Sequence, residues 1–583
     1  MFCSVKIRLL FAHLLLLLPL AVAQNSTASK STCRCIPGDS CWPSHHAWSQ
    51  LNDTIHGRLI KTTPLAAVCH EPHYDEQACK SLAEAWSLPQ TLYPHASEIM
   101  SPYWQNQSCD PFTPRSNACH VGNYVEYAVN VASANHVSKA LQFAQKHNVR
   151  VVIKNTGHDY IGKSTGKGSL GLWTHNMKEM TFLNYSSPEY TGPAVKMGAG
   201  VQAFEAYTAA ASHGLRVVGG ACATVGLSGG FLQGGGHSPL SSMHGMGADQ
   251  TLEWEVVTAT GRHLVASPTQ NQDLYWALSG GGGGTYGVVI SVTVKAFQDG
   301  IVGGASLQIN KADTTDEVFW KGVEEFFAWV PEMVDSGSTA LFSLSNTSFV
   351  VVPLTAPGKS QDEVRDLLEP LVCKMKELDI SMTTSVTSFP TYLEHFDHHL
   401  GPLPYGLPFV NIVDVSIGGR LIPRSVLQDA ASNLAFIEAL KLSVQPGGKY
   451  QTGGLALNAA HSVAGNDASS NAVLPAWRSS AVQILAFAPW DFKASLGSNL
   501  AGNDYLNQVT VPALTAVAPE GGAYLNEANL GQHDWQQVFY GANYDRLRSI
   551  KNKYDPRDLF FANTAVGSEA WTPDGQGRLC RSA

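Results

Sequence analysis

The sequence predicts an α+β protein with two principal domains, and three observations carry that expectation. At 583 residues the chain exceeds what a single hydrophobic core organises. Between residues 123 and 154 a strand-like run, an amphipathic helical run and a second apolar run follow in the order of a β-α-β unit. Beyond residue 300 the texture changes: charged helical segments alternate with strand-like stretches, which reads as a separate sheet with helices on one side.

The elements follow in order. Lys6 and Arg8 precede an apolar run, and "AVA" ends at a cleavage point before Gln24, so residues 1–23 read as a secretory signal. No other segment is apolar enough to span a bilayer. Seven cysteines then crowd one region (Cys33, Cys35, Cys41, Cys69, Cys79, Cys109 and Cys119), a pattern suited to disulfides in an oxidising compartment rather than to paired zinc knuckles. Sequons begin at Asn25, Asn52, Asn106, Asn184 and Asn346. A soluble, secreted glycoprotein is expected. The net charge of −9 and the lack of basic runs exclude a broad nucleic-acid surface.

"NYVEYAVNV" has strand character. In "ANHVSKALQFAQKHN" the residues Val137, Ala140, Leu141 and Ala144 share one helix face, with Asn135 as the candidate cap. "VRVVIK" is a buried strand. A second such unit is expected from "AVKMGAGV", the Ala-rich "QAFEAYTAAASHG" closed by Gly214, and "LRVVGG". The second domain contributes the helices "TTDEVFWKGVEEFFAWV" and "SQDEVRDLLEPLVCKMKELD" and the strand-like "TALFSLSNTSFVVVPL" and "FVNIVDVSIGGRLI".

Glycine is the one compositional excess, with 53 residues. Glycines suit places where backbone N–H groups must approach a pyrophosphate without Cβ atoms in the way. Gly282 to Gly287 match GxGxxG literally, but the run follows the helix-like "QDLYWAL" and opens the strand "VVISVTV". A dinucleotide fingerprint has the opposite order, strand before and helix after. No P-loop is present. Three separate glycine-bearing loops, "KNTGHDYIG", "GACATVGLSGGFLQGGGHS" and "SGGGGGTYG", still need a common purpose.

In that order, these segments resemble the vanillyl-alcohol-oxidase-type flavoproteins, in the berberine-bridge-enzyme-like branch with a PCMH-type FAD-binding domain. The Cys-rich start and the "GSEAW" end are similar to fungal isoamyl alcohol oxidases. The resemblance implies a signal peptide (1–23), a Cys-rich region (24–119), a PCMH-type FAD-binding domain (120–300), an α+β substrate-binding domain over the flavin (301–510) and a returning C-terminal segment (511–583). It implies bicovalent FAD, with His158 bonded to the flavin 8α-methyl and Cys222 to C6. Thr156, Gly157, Gly226, Gly230, Gly287, Val288 and Asn543 fall on cofactor contacts. A neutral imidazole and a thiolate can each add to the electrophilic dimethylbenzene edge of a flavin, the thiolate more readily. Val225, three residues after Cys222, falls where the family meets O2, and valine there implies an oxidase.

With Cys3 removed and Cys222 on the flavin, nine cysteines remain. Cys373, on the polar side of its helix, is then the free one, and Cys580 pairs with the N-terminal group. The reaction expected is oxidation of an alcohol or sugar hydroxyl to a carbonyl, with O2 reduced to H2O2, by a monomer. Alternatives are a dehydrogenase or cyclising enzyme of secondary metabolism with another acceptor, and a non-catalytic secreted glycoprotein. The base that takes the hydroxyl proton stays open among Tyr405, His461 and Tyr540. His395, His398 and His399 ("HFDHH"), like His70 and His73, are read as solvated loop residues, and no metal site is expected.

Overall fold

The computed structural model describes residues 33–406, 413–445 and 447–582. The signal segment and the Asn25 sequon lie outside the described residues. The fold is α+β, built on three main sheets.

The first has four strands in the order Leu59–Lys61, Tyr127–Asn130, Ser169–Trp173, Arg150–Lys154. Tyr127–Asn130 and Arg150–Lys154 both run parallel to the strand between them. The helix Ala134–His147 that joins them buries Val137, Ala140, Leu141 and Ala144 against this sheet. Its cap is Ser133, whose hydroxyl accepts from His136 N–H, rather than Asn135, because the extended backbone that a cap requires is at Ser133.

The second sheet is antiparallel: Met180–Ser186, Thr191–Gly198, Val288–Lys295, Thr251–Val257, His263–Ala266. The expected second β-α-β unit does not form. After the helix Ala203–Ser212, Leu215–Arg216 pairs, among the described residues, only with Phe297–Gln298, outside the sheet of Thr191–Gly198. Gly214, at φ +66°, turns the chain away, and "VVGG" continues as loop.

The third sheet has seven antiparallel strands, ordered Thr383–Phe389, Val302–Asn310, Ser348–Pro357, Thr339–Leu344, Gln451–Ala456, Ser480–Pro489, Val415–Pro423. "TALFSLSNTSFVVVPL" is thus a hairpin of two strands. On Ser480–Pro489 the period-two alternation is plain: Val482 and Ile484 join the helix-covered core, while Gln483, Leu485 and Phe487 face the other way. Helices Asp316–Asp335, Gln361–Glu377 and Ala430–Ser443 cover the first face. The opposite face closes over the glycine loops, and one hydrophobic core runs through both halves of the molecule.

"HFDHH" is helical, within Tyr392–Leu400, and not a solvated loop. Its i, i+4 spacing turns His395 and His399 inward, where they meet Thr355 and Thr387 at 2.9 Å each, above the Cβ-free backbone of Gly304. His70 is also buried, 2.9 Å from Asp110 O, while His73 is exposed.

Disulfides join Cys35–Cys41, Cys69–Cys79, Cys109–Cys119 and, across the whole chain, Cys33–Cys580. Cys373 is free and exposed, opposite the buried stripe Val364, Leu368, Leu371 and Met375. No helix among the described residues is long and apolar enough to cross a membrane.

Candidate active site

A cavity of about 610 Å³ lies between the glycine loops and the uncovered face of the seven-stranded sheet. That is the size range of small-molecule and cofactor sites, about 300–1,000 Å³. Its floor is the first glycine loop, which follows strand Arg150–Lys154. Gly157, at φ +89°, makes the turn; a Cβ there would press on Glu98 O at 3.0 Å. Asp159 then fixes the loop, since its carboxylate accepts from Ile161 N–H and from Ser164 N–H and Oγ–H. The arrangement delivers His158 into the cavity wall.

The second loop is held by the N-terminus of helix Ala203–Ser212. The N–H groups of Ala203 and Phe204 donate to Val225 O and Ala223 O, and Gln202 Nε2 donates to Thr224 O. These bonds place Cys222 beside His158. His158 Nε2 lies 2.7 Å from Thr224 Oγ1 and 3.9 Å from Cys222 Sγ. Burial, helped by the charge of Lys154, lowers the His158 pKa to about 3, so its imidazole is neutral. Burial also pushes the Cys222 thiol up, only partly opposed by hydrogen bonds from Thr224 and Val225. The thiolate expected from sequence is therefore disfavoured in the chain alone.

The third loop completes the cradle. A Cβ on Gly283 would stand 3.3 Å from Gly230 Cα, so the second and third loops approach backbone to backbone. Lys551, on the helix Tyr544–Tyr554 of the returning segment, pins this loop from behind. Its ammonium donates to Thr285 O at 2.8 Å and to Phe560 O at 2.9 Å, and pairs with Asp555.

These residues fit an FAD. Bare glycine backbone lines the wall, and four buried polar atoms on the cavity have no partner among the described residues: Asn155 Oδ1, Ser228 Oγ, Gln233 Oε1 and His237 Nδ1. A polar ligand would satisfy them; an apolar one would leave them unpaired, at a cost of about 1–3 kcal/mol each.

Of the residues singled out from sequence, His158, Cys222, Val225, Thr156, Gly157, Gly226, Gly230 and Gly287 line the cavity. Val288 is buried behind it, as the first residue of its strand. Asn543 does not line it: its amide donates to Ala472 O and Val473 O. The cavity-lining asparagine of this segment is Asn526, which donates to Gly230 O.

None of the three proposed bases lines the cavity either. Tyr405 is 43% exposed. His461 opens the short helix His461–Ala464, with its Nδ1 2.8 Å from Asn466 Oδ1. Tyr540 is fully buried, donating to Thr564 O.

Sequence reasoning missed the groups that do line it, namely Tyr160, His237, Asp414 and Glu527. His237 and Tyr160 sat within quoted glycine loops, so their signal was present. Asp414 and Glu527 carried none, because only folding brings the seven-stranded sheet and the C-terminal segment over the loops.

The chain matches the family described as "FAD binding domain" over residues 125–267 and the family described as "Berberine and berberine like" over 523–567. It is 46% identical to the FAD-linked oxidoreductase patO of Aspergillus clavatus, over 94% of this chain and 95% of that one. It is also 46% identical to the VAO-type flavoprotein oxidase VAO615 of Thermothelomyces thermophilus, over 94% and 96%. The crystal structure of VAO-type flavoprotein MtVAO615 from Myceliophthora thermophila C1 superposes with a TM-score of 0.90 at 45% identity, covering 94% of this chain and all of that one. Glucooligosaccharide oxidase from Acremonium strictum, at 19% identity and a TM-score of 0.64 over 84% of this chain and 99% of that one, shares the fold. With three glycine loops around one cavity and the two histidine- and cysteine-bearing turns side by side, the chain belongs to the berberine-bridge-enzyme-like, VAO-type family of FAD-dependent oxidoreductases.

Proposed function

We propose that this enzyme is a secreted oxidase with bicovalently held FAD, which converts an apolar alcohol to the carbonyl and passes the electrons to O2 as H2O2. The observation that carries the reading is the composition of the cavity's two walls. His158 and Cys222 stand together on the loop side. Opposite them the sheet presents Leu341, Val350, Val352, Ile417, Leu485 and Phe487. That apolar face favours an apolar alcohol over an oligosaccharide, whose many hydroxyls would lose water there without partners. The flavin, when bound, supplies the two-electron acceptor. The glucooligosaccharide oxidase neighbour is described as carrying 6-S-cysteinyl, 8α-N1-histidyl FAD, which supports the double tether at Cys222 and His158. Four disulfides and the signal-like start support secretion.

Two measurements test the reading. A panel of apolar alcohols and oligosaccharides is screened for peroxide release, and activity confined to sugars would reject the substrate class. Acid precipitation of the purified protein should leave the yellow colour in the pellet. His158→Ala and Cys222→Ala should each keep covalent FAD, and only the double variant should lose it to denaturant. Free FAD released from the unfolded wild type would refute the tether.

A further inference from the structure

Among the residues lining the cavity, Glu527 is a carboxylate that two other parts of the fold hold in place. Its Oε2 accepts from His237 Nε2 at 2.8 Å and from Gln483 Nε2 at 2.7 Å. His237 ends the second glycine loop, and Gln483 sits on the cavity face of the seven-stranded sheet. Glu527 belongs to the returning segment, where the backbone turns with its own N–H on Tyr524 O. Three segments distant in sequence thus converge on one oxygen. Neither hydrogen bond uses Oε1, and the Glu527 side chain keeps 22% exposure.

Glu527 lines the same cavity as His158 and Cys222. Tyr160, Glu527, Cys222 and Asp414 all line this cavity, and burial first, then these three neighbours, push the Tyr160 phenol well above its usual range. The apolar wall of Ile417, Leu485 and Phe487 borders the same space. Asp159, the carboxylate nearest in sequence to His158, is consumed by the loop bonds described above.

We infer that Glu527 is the catalytic base of this enzyme, taking the substrate hydroxyl proton while His237 and Gln483 act as positioning residues. The inference rests on the alcohol-oxidase reading. In the step, the O–H proton goes to the Glu527 carboxylate. The carbinol C–H hydrogen leaves with both electrons of its bond to the oxidised flavin, and the C–O bond becomes C=O. Return of those electrons to O2, with that hydrogen and the proton from Glu527, gives H2O2 and restores the carboxylate. Burial works to raise the Glu527 carboxyl, but His237 and Gln483 outweigh it and hold it below the usual range. The group is therefore ionised and ready to accept at neutral pH.

Glu527→Gln keeps the shape and can return a hydrogen bond to Gln483, whose Oε1 has no partner among the described residues. In anaerobic stopped-flow, flavin reduction by an apolar alcohol should slow by about 10²-fold or more. Covalent flavin content and thermal midpoint should stay near wild type, and the acid limb of the rate profile should vanish. A variant that reduces within a few-fold of wild type overturns the assignment.

A second measurement needs no turnover. Benzoate, titrated against the visible flavin spectrum, must bring a proton to lie against an ionised Glu527. Its affinity for the wild type should fall about tenfold per pH unit between pH 5 and 8. His237, Tyr160, Tyr524, Asp414 and Cys222 also face this space, and their contributions persist in Glu527→Gln, which should lose the slope. A flat wild-type profile, or an equal response of the two proteins at every pH with no binding included, overturns the inference. A wild type that shows the benzoate slope but oxidises no alcohol would instead reject the alcohol-oxidase reading.

Discussion

At the scale of single residues, the cavity wall next to Cys222 is the most informative place. Val225 lines the cavity half-buried, and its N–H turns back toward Cys222 O at 3.4 Å. On the oxidase reading, O2 has to pass this β-branched side chain closely, and one added methylene on a packed wall is enough to occlude it. Val225→Leu should therefore slow reoxidation of the reduced flavin by O2 while anaerobic reduction by substrate stays nearly unchanged. Stopped-flow traces with equal reoxidation rates in the two proteins would reject the gate. Much of this wall was legible in sequence, because "TGHDYIG" and "ACATVGLSGG" are local motifs whose side chains stay near their glycines. Asn543 was misplaced for the complementary reason: it lies in an aromatic-rich segment, and which of that segment's asparagines meets the cavity depends on how far the chain turns after Gly522.

At the scale of elements, the helix Tyr544–Tyr554 acts through Lys551. Its ammonium and the Asp555 carboxylate are both buried, with side-chain exposures of 1% and 0%. Asp555 also accepts from Leu559 N–H and Phe560 N–H, so the pair ties the third glycine loop to the C-terminal return. Lys551→Met leaves a buried carboxylate without its counter-ion, which typically costs about 3–5 kcal/mol. The expected outcome is a lowered thermal midpoint together with reduced FAD occupancy, because Thr285 O loses its anchor. Lys553→Met is the control. Its partner Asp273 is part-exposed and Lys553 itself is 61% exposed, so the loss should stay within about 1 kcal/mol. Differential scanning fluorimetry and the flavin-to-protein absorbance ratio measure both effects. The sequence placed this run only in the returning C-terminal segment; its role as a clamp was not legible, since its partner Thr285 lies 266 residues away.

At the scale of the whole molecule, a buried ion pair joins parts of the chain 229 residues apart. Asp249, with no side-chain exposure, accepts from Arg478 Nη1 and Nη2 at 2.8 Å each and from the amides of Asn466 and Asn471. Burial pushes its carboxyl up, but the Arg478 and Asn471 hydrogen bonds and charge prevail, and the net shift is downward. A depressed folded-state pKa means stability that is fully present above the ordinary carboxylate range and is lost as pH falls through the lowered value. The thermal midpoint of wild type should therefore drop on strong acidification. In Asp249→Asn, which should be destabilised by about 3–5 kcal/mol at neutral pH, that part of the drop should be absent. Unfolding midpoints from pH 2 to 7 check the sign, and parallel acid limbs in the two proteins would contradict it.

What the sequence determined by itself rested on short spacing. The α+β class, the helix over Ala134–His147, the three glycine loops and the exposed Cys373 depend on periodicity or on motifs within about twenty residues. Parity alone linked Cys580 to the N-terminal cysteines, and Cys33 is its partner. Only the tertiary structure decided what meets at a distance. "HFDHH" looked polar, yet its i, i+4 histidines find threonine partners on neighbouring strands and become core. Leu215–Arg216 looked like the end of a β-α-β unit, yet it pairs with Phe297–Gln298, outside the sheet of Thr191–Gly198. Glu527, His237 and Gln483 come from three segments that share no pattern, and they meet because the seven-stranded sheet and the C-terminal segment close over the same cavity. Local preferences are set by backbone dihedrals and side-chain period, whereas a site made of long-range contacts exists only once burial has chosen which faces press together.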